Sequence, residues 1–570
     1  MASKNANPGI LYVTMQPKDT LPPAQFHDWY NNDHGPTRLR LPWCQNGFRY
    51  RASDLENGNG AQEKPEWMAI YDIEDMDYLT QESYTRLRKA PVQSQRERDT
   101  MKQIHVDRRF YDALGEEWAA ADFKKLEEVE SEGEGNVMIA VFLTLREGAD
   151  EKELAKWYSE EHVPLLQKVP GWRRTRRFVT SYLDVAEGKS KEYLALHEYA
   201  PENGLRGEEF KKATTTEWND RIYRDVVDNK RRRVYTLYYT FGPAPRDLES
   251  LSSPNTFPVD GTDGKTKSIP ASASGSNGGY SVLESFITTP DRVELPYRLE
   301  GSSDPNAPLL ICVNSILVTY GIWDAFIPFF LATTKGKYRV LRYNTRGRST
   351  LPSSAKHPVT VDMLADDVIT LMNSLRAKTV SVVGVSLGGA TALNVALNYP
   401  ERITTFVACD TNSLAPPGNP KAWGERIDMA KKQGATFSSS SESPGEPIVG
   451  TDLAEATVRR WFVPDSYTDP SLSAKIAAVK DMVATNSLAG FKDSVKALYE
   501  YDFRDKMKAF KGKGAFLVGA GDGVLPKTMR EMAEGLGRGV DLRVVEGAGH
   551  LPMVERPEEV ARFVAEVLGG

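Results

Sequence analysis

Apolar positions divide this chain at about residue 240. Before that point, short runs such as Ile10–Met15, Trp67–Asp72, Ile139–Thr144 and Tyr193–Glu198 read as strands. They alternate with amphipathic stretches that carry the pairs Trp29-Tyr30 and Trp157-Tyr158. The predicted order, strand-helix-strand-strand-helix-strand, occurs twice. After residue 280 the pattern changes. Two hairpin strands, Ser281–Thr288 and Val293–Glu300, precede continuous apolar runs at Pro308–Val313, Tyr338–Tyr343, Thr379–Val383, Ile403–Cys409, Ala515–Gly519 and Val540–Glu546. Runs apolar on both faces and separated by helical stretches predict a mostly parallel sheet with helices on both sides. Residues 412–508 break the alternation. Rich in helix formers and aromatics, they predict a helical lid inserted after the sixth strand of this half.

The doubled pattern is an internal repeat. Trp29-Tyr-Asn-Asn-Asp-His34-Gly-Pro36 matches Trp157-Tyr-Ser-Glu-Glu-His162-Val-Pro164 at an offset of 128, which Pro42 and Pro170 share. Each unit has the order of a ferredoxin-like fold, and two in tandem can cover each other's sheet. The expected domains are residues 1–118 and 135–243 for the two repeats, a flexible linker at 244–279 and an α/β domain at 280–570 with its lid. The linker expectation rests on Pro, Ser and Gly content and on a lack of core-forming residues. The glutamates between 127 and 134 read as a solvated connection. The basic clusters Arg173–Arg177 and Lys230–Arg233 read as charged sheet edges that block strand addition.

Composition adds exclusions. A net charge of −6 gives no drive toward nucleic acid or an anionic membrane surface. No apolar run reaches the length of a membrane span, and the first nine residues carry no leader-type core. The three cysteines, Cys44, Cys312 and Cys409, are widely spaced and odd in number, which suits a reducing, cytoplasmic setting. No metal cluster, phosphate loop or dinucleotide fingerprint stands out, so no cofactor or metal is expected. The expected partner is a small-molecule substrate, and a homo-oligomer is compatible with the chain.

The chemistry concentrates at Gly384-Val-Ser386-Leu-Gly388, which fits G-x-S-x-G between an apolar strand and a helical pattern. A nucleophile on so tight a turn needs small neighbours two positions away on either side. The turn aims the Leu387 amide, at a helix start, toward a developing oxyanion. Serine needs a base, and histidine suits neutral pH. Of the two histidines in this half, His357 precedes the serine, whereas His550 lies in a glycine-flanked loop after the last strand. Asp522, just past a strand and 28 residues before His550, is the expected acid, and Asp410 at the end of Ile403–Cys409 is its competitor. The second oxyanion donor is expected from the Ser315 or Ile316 amide.

Cys312-Val-Asn-Ser, Asn344-Thr-Arg346-Gly347, the serine motif and Gly549-His550-Leu551 together resemble α/β-hydrolases. The lid segments Trp423-Gly-Glu-Arg426-Ile427 and Val458-Arg-Arg-Trp461-Phe462 resemble the 3-oxoadipate enol-lactonase branch. That resemblance implies a serine hydrolase (EC 3.1.1) that cleaves a small lactone or ester through an acyl-enzyme, with Arg426, Trp461 and Trp423 at the substrate pocket. Carbon–carbon bond hydrolysis on the same triad, and a ligand-binding scaffold with an idle hydrolase half, are the alternatives. The repeats, through W-Y-x3-H-x-P, resemble EthD-like dimeric α+β barrels. That resemblance implies a small-ligand cavity but no single reaction, and it marks His34 and His162 as the candidate barrel site.

Overall fold

A computed structural model describes residues 6–55, 65–125, 135–253, 256–273, 279–441, 443–537 and 540–569. The glutamates read as a connection fall largely in 126–134 and the Ser-Gly part of the expected linker falls in 274–278. Both lie outside the described residues, as do residues 1–5. The chain forms two compact units, one of Met1–Pro245 with Gly261–Gly264 and one of Arg246–Asp260 with Lys265–Gly570.

Eight described strands of the first unit close into a barrel. They are β1 (Gly9–Pro17), β2 (Cys44–Ala52), β3 (Trp67–Ile73), β4 (Ile104–Ala119), β5 (Val137–Leu145), β6 (Trp172–Thr180), β7 (Tyr193–Tyr199) and β8 (Val227–Thr240). Their order is β1-β3-β2-β8-β5-β7-β6-β4, with β4 returning to β1. The period-two alternation sorts side chains cleanly. Ile10, Tyr12, Met68 and Ile70 of the first repeat share one core with Met138, Phe142, Leu194 and Tyr235 of the second. Their strand neighbours, such as Leu11 and Ala69, pack instead with helical Trp29 and Tyr30 of their own repeat.

Closure corrects the reading of the basic clusters as edges. β6 pairs with both β4 and β7, and β8 with both β2 and β5, so neither strand has a free side. Arg174 is buried 2.6 Å from Glu198, Arg176 lies 2.7 Å from Asp72, and Arg233 lies 2.9 Å from Asp54. These arginines are neutralised inside the fold rather than solvated at a rim. The helices expected around Trp29 and Trp157 each widen into a π-helical turn, Trp29–His34 and Tyr158–His162. Such turns insert a residue into the helical ladder and re-aim the side chains that follow.

The second unit holds one described sheet of ten strands. These are β9 (Val259–Asp260), β10 (Lys267–Ile269), β11 (Ser281–Thr288), β12 (Glu294–Gly301), β13 (Leu309–Val313), β14 (Arg339–Tyr343), β15 (Val380–Val385), β16 (Ile403–Cys409), β17 (Lys513–Gly519) and β18 (Leu542–Val545). Strands β13 to β18 run parallel in the order β14-β13-β15-β16-β17-β18, and β12 to β9 extend the β14 side antiparallel. β9 and β10 lie inside the stretch expected to be a linker. That expectation also missed Leu248 and Leu251, both buried. The two strands are short and carry little apolar signal, and β10 is defined by its pairing with β11. Five α-helices between Asn419 and Ala509 occupy the stretch read as a lid.

The order of strands determines where a site can form. β13 lies between β14 and β15, so the chain leaves the carboxyl end of β13 toward β14 and that of β15 toward β16, in opposite directions. Crevices at such a switch point are where open α/β sheets bind ligands. The loops after β13 and β15 both start there.

Candidate active site

Ser386 joins β15 to the helix Leu387–Asn398 with φ 60° and ψ −119°. A side-chain-bearing residue in that region stores on the order of 1–3 kcal/mol of strain. The glycines around it are needed sterically. A Cβ on Gly384 would overlap the Gly388 carbonyl, and one on Gly388 would overlap the Val313 carbonyl. The helix start can therefore press against the ends of β13 and β15. The turn is held by Ser386 N donating to Cys409 O (2.9 Å) and by Thr411 Oγ1 donating to Ser386 O (2.8 Å).

Gly384→Ala is expected to destabilise the hydrolase unit by about 3 kcal/mol or more, because the added methyl meets backbone rather than a movable side chain. Gly424→Ala is the control. It lies mid-helix with no described atom within 4 Å of the added carbon, so it should be neutral or stabilising by up to about 1 kcal/mol. Thermal unfolding of both variants checks the contrast.

His550 follows β18, and its Nδ1 lies 2.7 Å from Asp522 Oδ2, at the turn after β17. With Nδ1–H donated to that carboxylate, Nε2 is the basic nitrogen. Ser386, Asp522 and His550 all line one cavity of about 250 Å³. Among the described residues no hydrogen bond joins the Ser386 hydroxyl to the ring, a contact that in many enzymes tightens only with substrate bound. The ring stacks on Trp461, centroids 5.5 Å apart, and the His550 amide donates to Trp461 O at 2.7 Å. Buried Glu555 ties the same loop to the lid: it accepts from Gly549 N (2.6 Å), Val463 N (3.1 Å) and Ser466 Oγ (2.6 Å).

Asp410 is also on the cavity wall, with its own ligating oxygen, one of Asp522 and a ring nitrogen of His550 all within 4.8 Å of one another. It takes a different part from Asp522. Its Oδ1 accepts from Gly519 N at 2.9 Å, while buried Oδ2 has no donor to accept from. Burial, and then the neighbouring Asp522 charge, push its pKa well above the usual carboxylate range. Burial thus favours its protonated form, which can donate toward Asp522. A protonated carboxyl beside an imidazole already bonded through Nδ1 makes a poor metal set.

The remaining sequence-marked residues separate. Ile316 is on the cavity wall. Ser315 is fully buried with its Oγ unpartnered, and it is not a wall residue. Leu387 begins the helix behind the serine. Asn314 locks the β13 loop by donating to Tyr343 O (2.6 Å) and accepting from Trp323 Nε1 (3.1 Å). Trp423, Arg426 and Trp461 line the cavity, and so does Arg460, which sequence reading passed over. The Arg426 and Arg460 guanidinium carbons stand 4.5 and 5.7 Å from the Trp423 ring centre. Desolvation and the Arg426 charge bring the Arg460 pKa down to about 10, which leaves it a cation at neutral pH. Its neighbour in the quoted Arg-Arg-Trp motif was the available signal. His357 is half-exposed and faces Asp493 at 3.6 Å, and it is not a wall residue. His34 and His162 belong to the barrel unit.

Residues 310–563 match the alpha/beta hydrolase family. The chain is 28% identical over 282 residues to 3-oxoadipate enol-lactonase 2 of Acinetobacter baylyi, covering 49% of this chain and 95% of the relative. It is 25% identical over 275 residues to 3-oxoadipate enol-lactonase 1 of the same organism, covering 48% and 92%. Among solved structures, the enol-lactonase from Burkholderia xenovorans aligns with 26% identity over 50% of this chain and all of its own, at a TM-score of 0.43. In the described residues no helix is long and apolar enough to cross a membrane. The carboxy-terminal half of this chain is an alpha/beta hydrolase, a hydrolytic enzyme similar to enol-lactonases.

Proposed function

We propose that the hydrolase unit cleaves a small lactone or ester bearing a carboxylate, through Ser386, His550 and Asp522. The observation that carries the reading is a serine on a strained turn sharing one cavity with an Asp522-bound imidazole and two guanidinium groups. Ser386 Oγ attacks the carbonyl carbon as His550 Nε2 takes its proton, and Asp522 stabilises the imidazolium. The amides of Leu387 and Ile316 receive the oxyanion. The leaving oxygen takes the proton from the imidazolium, and water then hydrolyses the acyl-enzyme by the same path. In a lactone the leaving oxygen stays tethered, so one hydroxy or oxo acid is released. Arg426 and Arg460 hold the substrate carboxylate, a charge-assisted contact that a neutral ester lacks.

Arg426→Leu with Arg460→Leu is therefore expected to raise KM for a carboxylate-bearing ester by on the order of 100-fold, at about 1.5–3 kcal/mol for a lost charged contact, while a neutral ester changes little. Steady-state kinetics on monoethyl succinate and ethyl butyrate make the comparison. Equal losses on both esters would remove the carboxylate from the reading. A 1,3-diketone acid in the same panel tests carbon–carbon cleavage.

For the barrel, we read each repeat as ferredoxin-like and the whole as EthD-like. The strand orders β4-β1-β3-β2 and β8-β5-β7-β6 and the equivalent Trp-Tyr helices support this.

A further inference from the structure

The two barrel histidines occupy equivalent sequence positions, yet their surroundings differ. His162 is 7% exposed, stacked on Trp157 at 4.2 Å, and its Nδ1 lies 3.0 Å from the backbone carbonyl of Ala213. That is a packed, structural imidazole. His34 instead pairs through Nδ1 with the Glu97 carboxylate at 2.8 Å, and it lines a cavity of about 480 Å³. Glu97 is buried and fixed from a second side by Trp29 Nε1, which donates to its Oε2 at 2.6 Å. A carboxylate that holds one imidazole nitrogen leaves the other as a directed base.

The rest of the cavity describes a ligand. Tyr30, Tyr71 and Tyr84 give it flat apolar walls, and Arg88 and Arg108 give it positive charge. Arg108 Nε is buried without a hydrogen-bond partner. Arginine and lysine charge on the wall of an aromatic-lined space suits a planar anion.

We propose that this cavity is a second active site, in which His34 is the general base for an aromatic carboxylate that carries a removable proton on the carbon beside a carbonyl. His34 Nε2 takes the proton. The C–H bonding pair becomes a C=C π bond and the carbonyl π pair moves onto oxygen, giving an enolate held by the arginines. The imidazolium then returns a proton to the same or a neighbouring atom, so nothing beyond solvent protons is consumed. Burial, and then the Arg38 charge, lower the His34 pKa, while Glu97 opposes them; Arg49 adds to the lowering. The cavity also presents the tyrosines Tyr30, Tyr71 and Tyr84, and the charged groups Arg88, Arg108, Lys189 and Asp107. The neutral, active imidazole therefore persists to below the ordinary histidine range, and the rate should be flat above pH 7 and fall only on further acidification.

Deuterium exchange at C3 of phenylpyruvate, followed by proton NMR in D2O with the full chain, tests this. The wild type should exceed the buffer rate by at least 100-fold. His34→Gln should return to the buffer rate and Glu97→Gln should lose at least tenfold. Arg108→Leu should raise the concentration needed for half-maximal exchange at least tenfold. Circular dichroism of each variant, with Glu97→Gln as the second probe, guards against loss of fold in His34→Gln. No acceleration by the wild type, a full rate in folded His34→Gln, or an equal loss in His162→Gln would each overturn the proposal.

Discussion

Ser386→Ala is expected to lower kcat for ester or lactone hydrolysis by on the order of 10⁵-fold or more, and His550→Ala by a comparable factor. The double variant should be scarcely worse than either. The reason is in the geometry. The imidazole has no proton to take if the alcohol is gone, and the alcohol has no base if the ring is gone, so each loss already disables the other group. Residual turnover comes from the backbone donors and from binding alone. Fluorophosphonate labelling gives an independent readout, since wild type should label and Ser386→Ala should not. Multiplicative losses in the double variant, or labelling that survives Ser386→Ala, would assign the chemistry to another group.

The second large effect separates the two acids. Asp522→Asn should cut kcat by on the order of 10⁴-fold, because an amide facing Nδ1 favours the wrong tautomer and leaves the imidazolium without its counter-charge. Asp410→Asn should cost less than tenfold. Burial favours the neutral form of Asp410, and asparagine can donate a hydrogen bond from nearly the same place while still accepting from Gly519 N. The pH–rate profile sharpens the test. If Asp410 carries no charge, its amide variant leaves the acid limb of the profile where it is. A shift of that limb to lower pH would mean that a negative charge near His550 had been removed.

What could be read from the sequence follows physical locality. The strained turn at Ser386 imposes its small neighbours within five consecutive residues, so it is visible in the chain. The acid and base carry weaker marks, because each needs only a strand end and a permissive loop. Glu97 lies 63 residues from His34 and nothing local marks it as the partner. The π-helical turns are equally silent, since inserting a residue into a helical ladder does not change which residues are apolar. Arg174, Arg176 and Arg233 were misread because charge normally signals solvent, and only strand pairing brings Glu198, Asp72 and Asp54 opposite them, whereas Lys230, Arg231 and Arg232 are exposed as expected. β10 failed for a related reason. Three residues have no periodicity to detect, and the strand exists because β11 offers it a partner.

The bonds from Glu555 to Gly549, Val463 and Ser466 have a consequence for substrate girth. The pocket's roof and the loop holding His550 are fastened to one carboxylate, so they move as a single part. Widening the doorway on that side would carry the imidazole out of line, which makes breadth on that side and speed opposing demands on this enzyme.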